Sequence, residues 1–422
     1  MRFTPPALLL AAICFLAPVG VARAQDVESD SPRHPSVLKQ LFPNPTGQNG
    51  FEDVALAIDA LRDAKAAYPP EREFTLEKKR SYLSDPACQK ALFYLRAGLA
   101  KTVVRCPIPE PTTEALYDVA LSPMAGVRSL ARLLAVEQYV LLADGRTREA
   151  IVSAEYALRL AQAIKGGTLT SSLVASAVNS ITLERLARHG EQWSLRDCDR
   201  ILALARTYHS LPDPGLQTIE WERRLAIQIS SVIRRDAAAI SAIESDEDGT
   251  KEDPILKPDA AEIERLGKSP EARAAFASEV SSHLNAAYDQ MARRLRDPTL
   301  LGQNDKATGV GGGGHATLAA RFAAHMSAGA SDTFVVSLVT DRVRLQLLGV
   351  HAAIRKYRWE NGRLPERLED LDLKGGLATD PFSGKPLLYK KTGDTDYELS
   401  SIGGPAGQVP ITLPRTPIPP PP

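Results

Sequence analysis

The chain has 422 residues, of which 44% are hydrophobic and only 6% are aromatic. This length allows two or three domains with sizeable cores, and the many Ala and Leu residues favour helices. The 51 basic residues balance 51 acidic ones, so the chain lacks the basic surface of a nucleic-acid-binding protein.

Residues 1–24 have the pattern of a secretory signal peptide. Arg2 precedes an uncharged apolar run at 7–19, and Ala22 and Ala24 supply the small residues that signal peptidase needs. This run is shorter than the roughly 20 residues of a membrane-spanning helix, and no later segment is long and apolar enough to span a bilayer. We predict cleavage before Gln25 and export to the periplasm or cell envelope, or secretion; an uncleaved anchor is the alternative.

Residues 25–48 are polar and contain several prolines, which predicts a flexible lead into a helical domain at 49–297. Asn49 and Gly50 open its first helix, which is predicted to end near residue 67. Further helices are predicted near 73–83 and 86–100.

Three cysteines, Cys88, Cys106 and Cys198, follow the signal sequence. An oxidising compartment permits a disulfide, and Cys88 and Cys106 are the natural pair because both lie in one proline-flanked region. The alternative is three reduced, buried thiols. The spacing does not fit a CxxC redox or zinc site.

The strongest helical pattern covers 115–210. One helix ends at Asp144-Gly145, and the next has a 4-3-4-3 apolar stripe formed by Ala150, Ala154, Ala157, Ala161 and Ile164. A third helix is predicted at 171–188, with an apolar face through Leu173, Ala177, Ile181 and Leu186. A fourth is predicted at 195–208, capped by Ser194. The turn at 143–146 resembles the hinge of a tetratricopeptide-type hairpin, but no 34-residue repeat recurs.

Long helices are predicted near 216–243 and 270–296, separated by an acidic loop at 244–253. Residues 298–330 contain a run of glycines and are predicted to be a linker or loop. The glycines are followed by His315-Ala316 rather than Lys-Ser/Thr, so the segment is not a phosphate-binding loop.

Residues 331–404 are predicted to form a small α+β module. A long helix at 332–360 ends at Asn361-Gly362, and Leu364-Pro365 begins a short helix that ends near Leu371. Two strands at 387–391 and 397–402 then form a β-hairpin. The proline-rich tail at 405–422 is predicted to be extended and unpacked. The predicted fold is therefore mainly α, either an antiparallel helical bundle or an irregular α-solenoid, with this module at the C-terminus.

Residues 343–403 resemble the C-terminal module of the major pseudopilin of type II secretion. The residues that carry this resemblance are Tyr357, Asn361, Gly362, Pro365, Asp380, Pro381, Gly384, Pro386, Tyr389 and Gly403. The chain departs from that family in having no prepilin cleavage site and no carboxylate in 404–407, so neither filament membership nor calcium binding is implied. The chain as a whole resembles uncharacterised exported helical bacterial proteins, and that resemblance implies no activity.

The sequence predicts no catalytic, cofactor or metal site. The histidines are scattered, with no pair at the spacing of a helical metal site, and the acidic loop has Ile255 where a calcium loop needs Glu. No Gly-x-Ser-x-Gly motif occurs.

We therefore predict a non-enzymatic binding or scaffolding protein that holds a partner, most simply another protein, in a helical groove. The first alternative is an accessory component of a type II secretion or pilus-like assembly. The second alternative is an enzyme with an unrecognised site, which a deep pocket lined by buried titratable groups would favour.

Overall fold

The computed structural model describes residues 36–64, 68, 75–108, 115–235, 260–301, 317–327, 332–403 and 410–415. Over these residues the protein is mainly helical, with a two-stranded antiparallel sheet near the C-terminus. The predicted fold class is thus confirmed. The predicted signal peptide, the acidic loop at 244–253 and the glycine run at 311–314 lie outside the described residues.

The first five helices form the N-terminal part of the fold. They are α1 (Val37–Leu41), α2 (Gly50–Arg62), α3 (Leu76–Ser84), α4 (Pro86–Ala100) and α5 (Ala115–Ala143). Asn49 caps α2 as predicted, because its side chain accepts a hydrogen bond from the Phe51 backbone N–H at 3.0 Å.

Helix α1 lies within residues 25–48, which the sequence predicted to be a flexible lead. The prediction is wrong for this part, because α2 holds the segment in place. Asp59 on α2 accepts hydrogen bonds from the Ser36 hydroxyl at 2.6 Å and from the Val37 backbone N–H at 2.9 Å. A carboxylate also stabilises the N-terminus of a helix through the helix dipole.

The next three helices are α6 (Thr147–Ile164), α7 (Leu169–Arg188) and α8 (Leu195–Ser210). Gly145, at φ +70°, makes the turn from α5 into α6. All five residues of the predicted stripe on α6 are buried. Ser194 caps α8 through a reciprocal capping box with Asp197. These predictions are confirmed.

The predicted apolar face of α7 is largely wrong. Leu173, Ala177 and Ile181 are exposed, whereas Val174, Val178 and Leu183 are buried. Helix α7 has apolar residues on more than one face, so the apolar periodicity did not determine which face packs inside.

Helices α9 (Gly215–Arg235), α10 (Ala260–Lys268), α11 (Pro270–Arg296), α12 (Leu318–Met326) and α13 (Asp332–Asn361) follow. Helix α12 lies within the segment 298–330 that was predicted to be a linker or loop, and this part of the prediction is wrong. Leu318, Ala319 and Phe322 are buried, and the Phe276 and Phe322 rings lie 6.1 Å apart, which joins α12 to α11. A short run of nine residues beside many glycines gave too weak a helical pattern.

The hydrophobic side chains form two main cores with α6 and α7 between them. The first core joins α1 to α5 with one side of α6 and α7. The second joins the other side of these two helices to α8–α13 and the C-terminal hairpin. The predicted module at 331–404 therefore shares its core with the helical domain. No helix in the described part of the chain is long and apolar enough to cross a bilayer.

The C-terminal hairpin pairs β1 (Leu388–Lys391) with β2 (Tyr397–Ser400), with Leu388 opposite Ser400. Both strands were predicted, but the short helix at 364–371 is only a 3-10 turn at Leu368–Asp370. The tail also differs from its prediction at 410–415, where Leu413 is buried and the Ser401 N–H donates to the Ile411 carbonyl at 3.0 Å.

Asp380 organises the residues singled out for their pseudopilin resemblance. Its buried carboxylate accepts from the backbone N–H groups of Phe382 at 3.0 Å and Ile402 at 2.8 Å. Positive φ angles at Gly362, Gly384 and Gly403 close the surrounding turns. Another member of the set, Tyr389, donates its hydroxyl to the Pro365 carbonyl at 2.7 Å, which fixes the hairpin to the end of α13.

Helices α8 and α13 approach closely at Gly349, where an added Cβ would lie 2.7 Å from the Ala205 Cβ. We expect Gly349→Ala to lower the free energy of unfolding by about 1–3 kcal/mol, because the core has no room for the methyl group. Urea denaturation measures this. As a control, Gly267→Ala on α10 meets nothing within 4 Å and should be neutral or stabilising. Failure of Ala205→Gly to relieve the Gly349→Ala defect would contradict the steric explanation.

Candidate functional site

A cavity of about 320 Å³ lies between α6, α7, α8, α13 and the connection from α8 to α9. We call it the Asp341 cleft. Its apolar wall consists of Leu158, Leu183, Leu211, Pro212, Pro214, Leu338 and Leu345. Its remaining lining residues are Gln162, Lys165, Asn179, Tyr208, His209, Asp213, Asp341 and Arg342. Its volume falls in the range of small-molecule sites.

Two chain turns place polar side chains in this cleft. Gly166, at φ +86°, ends α6 directly after Lys165. At the start of α9, Asp213 accepts from the Gly215 backbone N–H at 2.8 Å and also pairs with Arg342 of α13. Asp213 thus caps one helix and anchors another, which fixes the rim of the cleft.

Asp341 is the most deeply buried charged residue of the lining, with 4% of its surface exposed. Its Oδ2 accepts from the Lys165 ammonium at 3.4 Å and from the Asn179 amide at 3.1 Å. Its Oδ1 is also buried and accepts no hydrogen bond from any described residue. The carboxylate therefore depends on Lys165 and Asn179 for its side-chain hydrogen bonds.

Asn179 presents a second unsatisfied acceptor beside the first. A carboxylate only accepts hydrogen bonds, so the amide of Asn179 must direct its NH₂ group to Asp341. This leaves Asn179 Oδ1 as an acceptor, and within the described chain it has no hydrogen-bond partner. Both oxygens are enclosed by packed side chains, so other polar atoms of the lining face the open part of the cleft.

His209 and Tyr208 lie at the C-terminal end of α8 and line the cleft. Burial and the nearby Arg342 lower the pKa of His209, although a hydrogen bond with the Gly375 backbone partly offsets this. Burial raises the pKa of Tyr208. Both side chains are therefore neutral near pH 7.

The charged lining residues form two ion pairs, Lys165 with Asp341 and Arg342 with Asp213. The charges of the two pairs cancel, so the cleft has no net charge. Positive and negative side chains nevertheless both lie beside its apolar wall. Such an arrangement suits a small ligand that is polar at one end and aliphatic at the other.

A second buried polar cluster joins the C-terminal hairpin to the turn between α7 and α8. Arg355 donates to Glu191 at 2.7 Å and to the Trp193 carbonyl at 2.8 Å. His351 and the Tyr397 hydroxyl share a hydrogen bond of 2.8 Å, and burial lowers the pKa of His351 to about 3. The adjoining cavity measures about 20 Å³, room for a water molecule but not for a ligand.

The predicted Cys88–Cys106 disulfide is absent from the structure, where Cys88, Cys106 and Cys198 are all free, buried thiols. Each thiol has its own surroundings: Cys88 lies beside Tyr82, whereas Cys106 donates to the Pro107 carbonyl at 3.7 Å. Burial raises the pKa of both Cys106 and Cys198 to about 12, which suppresses the reactive thiolate.

The rate at which the cysteines of the chain from Gln25 onward are alkylated should reflect the burial of their thiols. We expect slow reaction in the native state and three alkyl groups per chain after unfolding without reductant, because no thiol is oxidised. Intact mass spectrometry counts them. One alkyl group per unfolded chain, rising to three after reduction, would instead establish a disulfide.

Sequence patterns did not identify the polar residues that line the cleft as a site. His209 was considered only as one of the scattered histidines. Lys165, Asn179 and Asp341 are far apart in the chain and belong to no motif. Among the described residues, no three His, Cys, Asp or Glu side chains are grouped to hold a metal ion. Comparison of the chain with models of protein families, with curated proteins and with solved structures finds no match.

Proposed function

We propose that this protein is an exported binding protein that holds a small polar ligand in the Asp341 cleft. The observation that carries the proposal is a cavity of about 320 Å³ whose lining combines polar side chains, among them Asp341 and Asn179, with an apolar wall of leucines. The arrangement is built in advance, since helices rather than loops supply both residues.

An enzyme is the second candidate, because a buried carboxyl, Asp341, and a partly buried ammonium, Lys165, meet in one cavity. Binding is the better-supported function for two reasons. Among the described residues the lining contains no Ser, Thr or Cys nucleophile, and the two charged groups engage each other rather than a separate catalytic partner.

Export rests on the signal pattern of residues 1–24, and we propose the periplasm or cell envelope as the place of action. A protein partner, in a scaffold or in a secretion assembly, would find a surface next to the cleft. An open groove of about 600 Å³ adjoins it and shares the lining residues Gln162, Tyr208 and Leu211.

Native mass spectrometry tests the binding proposal on the chain from Gln25 onward. The probe is the small-molecule filtrate of an envelope extract from the source organism. We expect a discrete added mass on the wild type that is strongly reduced on Asp341→Asn. Asp289→Asn on α11 serves as the matched control, because this exposed carboxylate lies outside the cleft. No added mass, or equal addition to Asp341→Asn, would overturn the proposal.

A further inference from the structure

The small cavity beside Arg355 lies where the C-terminal hairpin meets α13 and the turn between α7 and α8, and we call it the arginine cavity. Among the described residues, the charged side chains that line it are Glu191, Arg355, Arg358 and Arg415. Three guanidinium groups therefore share the lining with one carboxylate. His351 also lines the cavity, but it is neutral because burial lowers its pKa to about 3.

The ion pairs of these residues leave an excess of positive charge. Arg355 pairs with Glu191 at 2.7 Å, and only 15% of each side chain is exposed. Arg415 pairs with Asp396, whose side chain is more than half exposed at the surface of the hairpin. Arg358 forms no ion pair with any described residue. One positive charge beside the cavity is therefore unbalanced.

Two of the arginines repel each other. Burial lowers the pKa of Arg415; Glu191 opposes this change, whereas the charge of Arg358 adds to it. Like charges interact strongly in such a site, because its low local dielectric screens them weakly. An anion in the cavity would be attracted by both arginines and would reduce the repulsion between them. Since this attraction acts over several ångströms, it does not require a particular N–H group to point at the anion.

The size and surroundings of the cavity select the anion. A volume of about 20 Å³ has room for a water molecule, so phosphate, sulfate and organic acids are too large. Chloride is a monatomic ion of comparable size to a water molecule. Trp193, Ile354 and Leu364 add apolar surface to the lining. Burial there costs chloride less hydration energy than it costs a smaller anion such as fluoride.

We propose that the arginine cavity binds a single chloride ion beside Arg358 and Arg415. The ion balances the positive charge that Glu191 and Asp396 leave uncompensated. It also links α13, which carries Arg358, to the C-terminal segment at 410–415, and so stabilises the folded protein. The site shares no lining residue with the Asp341 cleft and is independent of the proposed binding function.

Crystals of the chain from Gln25 onward grown in sodium bromide test the inference directly, because bromide replaces chloride and gives an anomalous signal. We expect an anomalous peak in the arginine cavity of the wild type and none there in Arg358→Gln. Arg363→Gln is the matched control and should keep the peak, because this exposed arginine lies just after α13 and does not line the cavity. A wild-type cavity that contains only water, or a peak that persists in Arg358→Gln, would overturn the inference.

Urea denaturation measures the same site in solution and separates it from an adventitious ion only. Sodium chloride is exchanged for sodium gluconate at constant ionic strength, since gluconate is too large for the cavity. A ligand that binds only the folded state stabilises it by mass action. With increasing chloride, the urea midpoints of the wild type and Arg363→Gln should therefore rise relative to that of Arg358→Gln. The same response in all three proteins, or no response to chloride in the wild type, would overturn the inference.

Discussion

Replacing Glu222 with Gln is expected to remove a loss of stability that ionisation of this carboxyl causes between about pH 5 and pH 8. Glu222 lies on α9 and accepts from the Leu169 backbone N–H, at the start of α7, at 2.7 Å. Burial raises the pKa of this carboxyl from 4.5 to about 7, although the hydrogen bond from Leu169 partly opposes the rise.

The direction of the effect follows from proton binding. Between the unfolded and folded pKa values the folded protein holds a proton on Glu222 that the unfolded chain has lost, so the contribution of Glu222 to stability falls as the pH rises. The shift corresponds to roughly 3 kcal/mol at full ionisation. Urea denaturation at several pH values should therefore show Glu222→Gln to be more stable than the wild type at pH 8 and similar to it at pH 5.

A neighbouring residue provides the control for this experiment. Glu220 lies on the same helix with more than half of its side chain exposed, so Glu220→Gln should retain the wild-type pH profile. An unchanged profile in Glu222→Gln would show that another group causes the pH dependence.

Replacing Asp341 with Leu is expected to lower the free energy of unfolding by about 3–5 kcal/mol, because it leaves the Lys165 ammonium buried without its counter-ion. The double variant Lys165→Met/Asp341→Leu should recover most of this loss, since neither charge then remains. Urea denaturation of the single and double variants gives the coupling energy of the pair.

The surface pair Lys268–Glu264 is the matched control for this ion pair. More than half of each side chain is exposed, so Glu264→Gln should cost no more than about 1 kcal/mol. If Asp341→Leu cost as little as this surface variant, Asp341 would be solvated and the buried-pair explanation would be contradicted.

The parts of the fold that could be predicted from sequence are those fixed by local chemistry. The Ala150-to-Ile164 stripe, the Ser194 cap and the Gly362 turn each depend on residues close together in the chain. The face of α7 could not be predicted, because two cores bury different sides of this helix. Helix α12 is too short to give a strong apolar period.

The candidate site could not be predicted because its chemistry is assembled from distant residues. Lys165 and Asp341 are 176 positions apart. In the sequence, Asp341-Arg342 resembles an ordinary solvated pair on the polar side of an amphipathic helix. In the structure, every residue of α13 from Leu345 to Ile354 is buried, and the helix is covered on several sides. Its polar residues are therefore internal, which only the packing of α7, α8 and α11 reveals.

A crystal structure of the protein purified from its native envelope without refolding is the most direct test of the binding cleft. We expect a bound small molecule in the cleft, within hydrogen-bonding distance of a polar lining residue such as Gln162 or Lys165 and with its apolar part against the leucine wall. A cleft filled only by ordered water would contradict the assignment, as would a ligand bound elsewhere on the protein.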